Sequence, residues 1–120
     1  MGKAQIEVAE SFERNLDAIA LFLTEAEAPD VVFDELISAL AGRLFPLLEE
    51  HPQAGRDWLS NPPPTEIGQH LQQTILKKLA GRGELREFVF DHHLVLYLFD
   101  GATVTLLAIR HHKQPGYDVG

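Results

Sequence analysis

Residues 84–110 read ELREFVFDHHLVLYLFDGATVTLLAIR, and this stretch decides the fold. Three apolar runs, 85–90, 93–99 and 102–110, are rich in β-branched and aromatic residues and are separated by Asp91-His92 and by Asp100-Gly101. A two-residue polar or glycine-containing break between such runs is typical of a tight β-hairpin. The sequence therefore predicts a three-stranded antiparallel meander in the last third of the chain.

Two-residue turns also set a register, because each turn decides which residues of the flanking strands lie opposite one another. The predicted pairs are Tyr97 with Val104, His93 with Ala108, and Arg86 with Tyr97. The same geometry brings the corner at 91–93 and the strand exit at 110–113 to one end of the sheet.

Upstream of the meander, residues 3–9 alternate polar and apolar side chains and predict a first strand. A helical apolar stripe then predicts a helix over 12–25 with Ser11 as its N-cap. A longer stripe, after a break at Pro29, predicts a second helix that Asp30 caps. Pro46 lies inside the second helix, so a kink or a tightened last turn is expected near 42–46. Two such helices form an αα-hairpin, which needs an apolar sheet to cover.

Residues 51–64 are rich in proline, glycine, asparagine and aspartate and predict a loop, which Trp58 anchors. Beyond this loop, Thr65 can cap a third helix over 65–80, with Gly81 just past its end. The expected order is thus strand, αα-hairpin, loop with an inserted helix, and meander. This order is α+β.

Composition limits the classes of function. The chain has 120 residues, 45% of them hydrophobic, which suits a single domain over 1–120, and it contains no cysteine for disulfides or thiolate metal sites. No signal peptide or membrane span is visible, so a cytoplasmic protein that does not bind membranes is expected. A net charge of −8 excludes a broad basic surface for nucleic acid, although basic residues gather between 77 and 113 and could form a local basic edge.

Two groups of residues resemble a known family. The strings LREF at 85–88, HLVLY at 93–97 and LAIRHHKQPGY at 107–117 are similar to the end of RelE/ParE-type toxins, often called plasmid stabilisation proteins. HPQAGR at 51–56 resembles the same family's Pro-x-x-Gly-Arg turn. The resemblance spans nearly the whole chain, with about 60–82 as an insertion. It implies a two-layer RelE/ParE-like fold, in which the N-terminal strand and the αα-hairpin pack on the meander.

The resemblance implies that the chain is the toxin of a type II toxin–antitoxin pair. A cognate antitoxin protein would silence it, and its target would be DNA gyrase or translation. Two alternatives stay open. The chain could cut mRNA on the ribosome, or it could be a degenerate, non-toxic member that only binds its antitoxin or forms a homodimer. If the chain is a toxin, a hetero-oligomer with the antitoxin is expected, whether the toxin acts on gyrase or cuts mRNA.

The candidate catalytic residues cluster on the meander and after it: Arg86, Arg110, His111, His112, Lys113 and Tyr117. RNA cleavage through the 2′-hydroxyl needs a base, a cation for the phosphate and an acid. The basic side chains could supply charge, the histidines proton transfer and the tyrosine a phosphate or base contact. Leu94 stands where mRNA-cutting relatives carry an arginine, so it is open whether the chain is an enzyme. A simpler interpretation makes Arg86 a cross-strand partner of Tyr97.

No cofactor or metal site is predicted. Imidazole and carboxylate groups at Asp91, His92, His93 and His111 are chemically suited to zinc or nickel, which leaves a metal site as a weaker alternative. Adjacent histidines rarely reach the same ion, and histidines in a turn need no ligand to explain them.

Overall fold

A computed structural model describes residues 3–58, 78–79 and 81–112. The chain begins with strand β1 (Gln5–Val8) and helix α1 (Glu10–Glu25). A second helical segment follows as α2 (Asp30–Ala39), a π-helical turn (Leu40–Leu44) and α3 (Phe45–Glu50). A short strand β2 (Arg56–Asp57) precedes the meander of β3 (Glu84–Phe90), β4 (His93–Phe99) and β5 (Thr103–His111).

Among the described residues, the sheet has five strands in the order β1-β5-β4-β3-β2. β1 runs parallel to β5, and every other neighbouring pair is antiparallel. The predicted meander is therefore confirmed as one contiguous antiparallel unit, and the α+β class with it. The first strand closes the sheet on the side away from β3, next to the last strand of the chain.

Side chains on the two faces of the sheet form two separate cores. The helix-side core joins the αα-hairpin to the sheet through Phe12, Leu40, Leu44, Leu48, Phe90, Val95, Tyr97, Val104, Leu106 and Ile109. The far-side core holds Trp58, Leu85, Leu96, Leu98, Leu107 and Ala108, with Leu79 packed against it. Neighbouring residues of β4 alternate between the two cores, as the pleat of a strand requires. Both faces are thus covered, and Trp58, 3% exposed, anchors its loop as predicted.

Helix ends depart from the sequence prediction. α1 begins at Glu10 with Ala9 as N-cap, and Ser11, predicted as that cap, instead donates its hydroxyl to the carbonyl of Leu107. Asp30 is the first helical residue rather than the cap, which is Pro29. Both predictions were wrong because a small polar residue before an apolar stripe is only a local signal, and tertiary bonds can use its side chain differently.

Pro46 perturbs the second helix by widening it. The five-residue turn Leu40–Leu44 is π-helical, and the helix then continues to Glu50. A proline has no backbone N–H and its ring crowds the preceding turn, so a local change in hydrogen bonding was expected. The disturbed region was predicted close to its observed position. The predicted tightening of the helix was wrong, because the turn is π-helical and therefore wider than an α-helical turn.

Register in the last hairpin differs from the prediction. Tyr97 lies opposite Leu106 rather than Val104, and His93 lies opposite His111 rather than Ala108. The turn begins one residue later than expected, because the carboxylate of Asp100 accepts the N–H groups of Ala102 and Thr103 at 2.9 and 2.7 Å. A β-bulge between Leu96 and Tyr97 then adds one further residue on β5. The predicted Arg86–Tyr97 pair is confirmed, since no bulge lies in the first hairpin.

The inserted helix predicted over 65–80 lies almost entirely outside the described residues. Lys78 and Leu79 are helical, and the N–H of Gly81 reaches the carbonyl of Lys78 at 3.3 Å. β2 was missed by the sequence prediction, which placed residues 56–57 in a loop, because a two-residue strand carries no periodicity.

Candidate functional site

Four histidines meet at one end of the sheet. His92 lies in the β3–β4 turn and His93 opens β4, whereas His111 closes β5 and His112 follows it. Ring centroids lie 4.4 Å apart for His111–His112, 5.5 Å for His93–His111, 5.8 Å for His92–His112 and 6.3 Å for His92–His111. The predicted convergence of the turn and the strand exit is confirmed. We call these four residues the histidine cluster.

Backbone geometry holds the histidine cluster together. The N–H of His112 donates to the carbonyl of His92 at 2.9 Å, and the Nδ1 of His112 lies 3.0 Å from the same oxygen. Asp91 adopts a left-handed conformation with φ of 53°, which the tight turn requires. The strand exit is therefore tied to the turn by backbone as well as by side chain.

Burial and the neighbouring histidines favour the neutral form of His93 by lowering its pKa. Burial lowers the pKa of His93 below its ordinary value, and the neighbouring His111 and His92 lower that pKa further. Asp91 acts in the opposite direction, raising the pKa of His93. A neutral imidazole accepts protons, so His93 is suited to the role of a base rather than to that of a fixed cation.

Arg43 and Arg110 add positive charge beside the histidine cluster. Arg43, from the π-helical turn, binds the carboxylate of Asp91 at 3.0 Å, and its guanidinium lies 5.0 Å from the centre of the Phe90 ring. Arg110 is 9% exposed, and its Nη1 lies 3.5 Å from the carbonyl of His111. Arg43 was missed in the sequence, where it is 48 residues from Asp91 and no spacing signal connects the two.

Arg86 lies elsewhere and is engaged in structure. Its Nη1 donates to the carbonyls of Gly55 at 2.6 Å and Gln53 at 3.3 Å, and its Nε donates to Glu84 at 3.0 Å. It lies opposite Tyr97, four strand positions from His93, or about 13 Å along the strand. The structure therefore brings together His111 and His112 but not Arg86, and Arg110 lies opposite Leu94 on the far-side face of the sheet. Lys113 and Tyr117 lie outside the described residues.

Hydrogen bonds and close packing in the loop before β2 account for the residues of the Pro-x-x-Gly-Arg turn. The Tyr97 hydroxyl donates to the carbonyl of Pro52 at 2.8 Å and accepts the N–H of Gly55 at 2.9 Å. A Cβ at Gly55 would lie 2.8 Å from that hydroxyl and 2.9 Å from the carbonyl oxygen of Glu87, so only glycine fits. Arg56 then binds Glu87, which is 3% exposed. Burial raises the pKa of Tyr97, so its hydroxyl keeps its proton and can donate it.

An open strand edge lies next to the histidine cluster. β2 pairs with Glu87 and Arg86 only, so the outer side of β3 from Phe88 to Phe90 has no strand partner among the described residues. A groove of about 280 Å³ runs along this edge, lined by Arg43, Leu44, Leu47, Phe88, Val89, Phe90 and Asp91. Val89 is 60% exposed there. We call this surface the β3 edge.

No group of three or more histidine, aspartate or glutamate side chains in residues 3–58, 78–79 and 81–112 has a geometry that could hold a metal ion. The weaker alternative of a metal site at Asp91, His92, His93 and His111 is therefore not supported. Three of the ring pairs in the cluster meet at tilted or edge-on angles.

Comparison with known proteins then decides the family. Residues 6–116 match the family described as "ParE toxin of type II toxin-antitoxin system, parDE". The chain belongs to the ParE toxin family. The match includes β1, the αα-hairpin, the meander and the histidine cluster, so the ParE toxin assignment does not depend on one motif. No curated protein matches the chain.

Membership confirms the resemblance and gives this ParE-type toxin its partner class, since a type II system pairs a toxin with an antitoxin protein. In the part of the toxin that the structure describes, no helix combines the length and the apolar character needed to cross a bilayer.

Proposed function

We propose that this ParE-type toxin acts in the cytoplasm on a protein target, DNA gyrase, and that a cognate antitoxin silences it. The observation that carries the proposal is the incomplete cationic set on the sheet. Leu94 replaces the arginine that mRNA-cutting relatives carry, and Arg86 is bound to the loop carbonyls of Gln53 and Gly55. The net charge of −8 also disfavours tight contact with an RNA backbone.

Expression with and without the adjacent gene tests this proposal. The toxin alone should stop growth and relax plasmid supercoiling while mRNA stays intact, and the adjacent gene should restore growth. If the chain is harmless, the proposal fails, and co-purification with the adjacent gene product would then identify a degenerate member that only binds its antitoxin.

The antitoxin is proposed to add a strand at the β3 edge. The N–H of Trp58 donates to the carbonyl of Leu85 at 3.0 Å, so the backbone groups of alternate residues, including Val89, point outward from β3. Those of Val89 have no strand partner among the described residues, and an extended peptide can bind there by main-chain hydrogen bonds. The groove between this edge and Leu47 could then receive alternate side chains of the peptide.

Proline substitution at the two edges of the sheet tests the docking site. Val89→Pro removes an outward N–H without breaking the β3–β4 ladder, because proline is tolerated on edge strands. Val8→Pro is the matched control, since Val8 lies on the opposite edge strand and is 38% exposed. Co-purification with the antitoxin should be lost in Val89→Pro and kept in Val8→Pro. The reverse result would place the antitoxin on β1.

A second candidate function, ribosome-dependent mRNA cleavage, is favoured by the histidine cluster. Close packing of His93, His111 and His112 provides proton-transfer groups at one place. His111→Ala and His112→Ala should then abolish codon-specific mRNA cuts in expressing cells. Growth arrest with intact mRNA excludes this candidate, whatever the histidine variants do.

A further inference from the structure

The distal part of the αα-hairpin extends beyond the core. α2 contains no buried residue, and the buried residues of α1, Phe12 and Asn15, lie in its first half. Residues 16–39 are therefore all partly or fully exposed. We call residues 16–39 the hairpin end. Leu16, Ile19, Leu36 and Ala39 pack against the helix-side core, but the exposed side chains of the hairpin end do not, so its surface chemistry needs a separate explanation.

Apolar side chains are concentrated on the hairpin end. Of the large hydrophobic residues that are exposed in the described part of the chain, Val8 and Val89 lie elsewhere. The other five belong to the hairpin end: Leu21, Phe22, Val31, Val32 and Ile37, exposed by 59, 66, 54, 39 and 37%. The connector is only four residues long, so the end of α1 and the start of α2 lie side by side. Scattered exposed apolar residues are ordinary, but a concentration of this kind marks an interaction surface.

All the charge on the hairpin end is negative. Between Asn15 and Gly42 the sequence has six acids and no lysine, arginine or histidine: Asp17, Glu25, Glu27, Asp30, Asp34 and Glu35. None of the ion pairs among the described residues includes any of these carboxylates. On α1, Asp17, Leu21 and Glu25 follow one another at four-residue spacing, so an acid lies on each side of an exposed leucine. The apolar residues are therefore bordered by unneutralised carboxylates.

The connector carries one of these acids in a strained conformation. Glu27 has a φ of 59°, in the left-handed region that glycine occupies at low cost. The N–H of Ala28 donates to the carbonyl of Leu23 at 2.9 Å, and the N–H of Glu27 donates to that of Thr24 at 3.1 Å. These hydrogen bonds fix the backbone of the connector, so Glu27 is held in position before any partner binds.

We propose that the hairpin end docks a protein segment that is both apolar and rich in lysine and arginine. Carboxylates around an apolar centre attract a segment that is both apolar and positively charged, and they repel negatively charged partners. A second copy of this chain would bring six further acids against the first six, and nucleic acid or an anionic membrane would be repelled in the same way. The proposal does not depend on whether the target is gyrase or the ribosome, nor on strand addition at the β3 edge.

A synthetic amphipathic helix of about 16 residues, built from leucine and lysine, serves as the probe. Binding of the labelled peptide to the full chain is measured by fluorescence anisotropy. Phe22→Ser should weaken binding about tenfold, as expected for an apolar contact at the centre of an interface. Asp30→Asn with Asp34→Asn should weaken binding and flatten its dependence on salt.

Matched control variants separate docking from general charge attraction. Glu7→Gln with Glu10→Gln removes the same charge outside the hairpin end, and Val8→Ser removes an exposed apolar side chain from the edge strand β1. These controls should bind the peptide as the unchanged protein does. Absence of binding, or equal weakening by the controls, overturns the proposal.

Photocrosslinking in expressing cells tests the same proposal on natural partners. p-Benzoylphenylalanine replaces Phe22, and the crosslinked segment is sequenced by mass spectrometry. A segment with net positive charge and apolar residues is expected. A second copy of this chain, an acidic segment, or no crosslink at all overturns the proposal.

Discussion

Gly55→Ala should destabilise the fold strongly although it adds a single methyl group. The new Cβ would lie 2.8 Å from the Tyr97 hydroxyl, 2.9 Å from a carbon of its ring and 2.9 Å from the carbonyl oxygen of Glu87. Neither neighbour can move easily, because Tyr97 is fully buried and Glu87 lies within the β3–β4 ladder. Overpacking of about 1–3 kcal/mol and loss of the Gly55–Tyr97 hydrogen bond at about 1 kcal/mol together predict a loss of about 2–4 kcal/mol.

Urea denaturation followed by tryptophan fluorescence measures this loss, because the single tryptophan, Trp58, is buried and close to the loop. Gly42→Ala is the matched control. A Cβ at Gly42 meets no atom within 4 Å, so alanine should stabilise the helix by about 0.5–1 kcal/mol. The two glycines should therefore respond with opposite signs.

A double-mutant cycle with Tyr97→Phe checks the mechanism. Each single change removes the same hydrogen bond between the Gly55 N–H and the Tyr97 hydroxyl. The double variant should then lose about 1 kcal/mol less than the sum of the single losses. Additive losses, or a Gly55→Ala variant within about 0.5 kcal/mol of the unchanged protein, would refute the close-contact explanation.

Three further predictions concern charge and hydrogen bonding. Arg56→Ala removes one partner of the buried Glu87 carboxylate and should cost about 1–3 kcal/mol in urea denaturation. Arg43→Ala breaks an exposed pair and should cost under about 1 kcal/mol. Because the pKa of His93 is lower in the folded state, the unfolded chain binds more protons, so stability should fall as pH drops below about 7. His93→Gln should reduce this slope in a pH series of denaturation curves. Asn15→Ala removes the buried side-chain acceptor of a β5 backbone N–H at 2.9 Å and should cost about 1–3 kcal/mol by the same assay; a loss below about 0.5 kcal/mol would contradict it.

Much of the fold was predictable because its signals are local. The meander, the αα-hairpin and the first strand follow from periodicity, and β4 was placed at its observed bounds, His93–Phe99. Register was predictable only where the turn is simple: the first hairpin pairs Arg86 with Tyr97 as expected. The second hairpin was wrong because the Asp100 carboxylate closes a later turn and a bulge follows, and neither has a strong sequence signal.

The candidate site was predictable in part. Histidines at the first turn and at the end of β5 had to converge once the strands formed a meander, and they do. Arg43 could not be placed there from the sequence, since its approach to Asp91 depends on how the helix lies on the sheet. Arg86 could not be separated from the site either, because its bonds to Gln53 and Gly55 form only when the loop folds back.

The sequence by itself determined the first strand, the αα-hairpin, the antiparallel order of the last three strands and the membership of the toxin family. Periodicity and turn chemistry act between near neighbours, so they can be read along the chain. Only the tertiary structure decided that β1 closes the sheet beside β5, that Tyr97 holds the loop at Gly55, and that the hairpin end has no fully buried residue. Those features depend on contacts between distant residues, whose energies are set by packing and burial that no local pattern encodes.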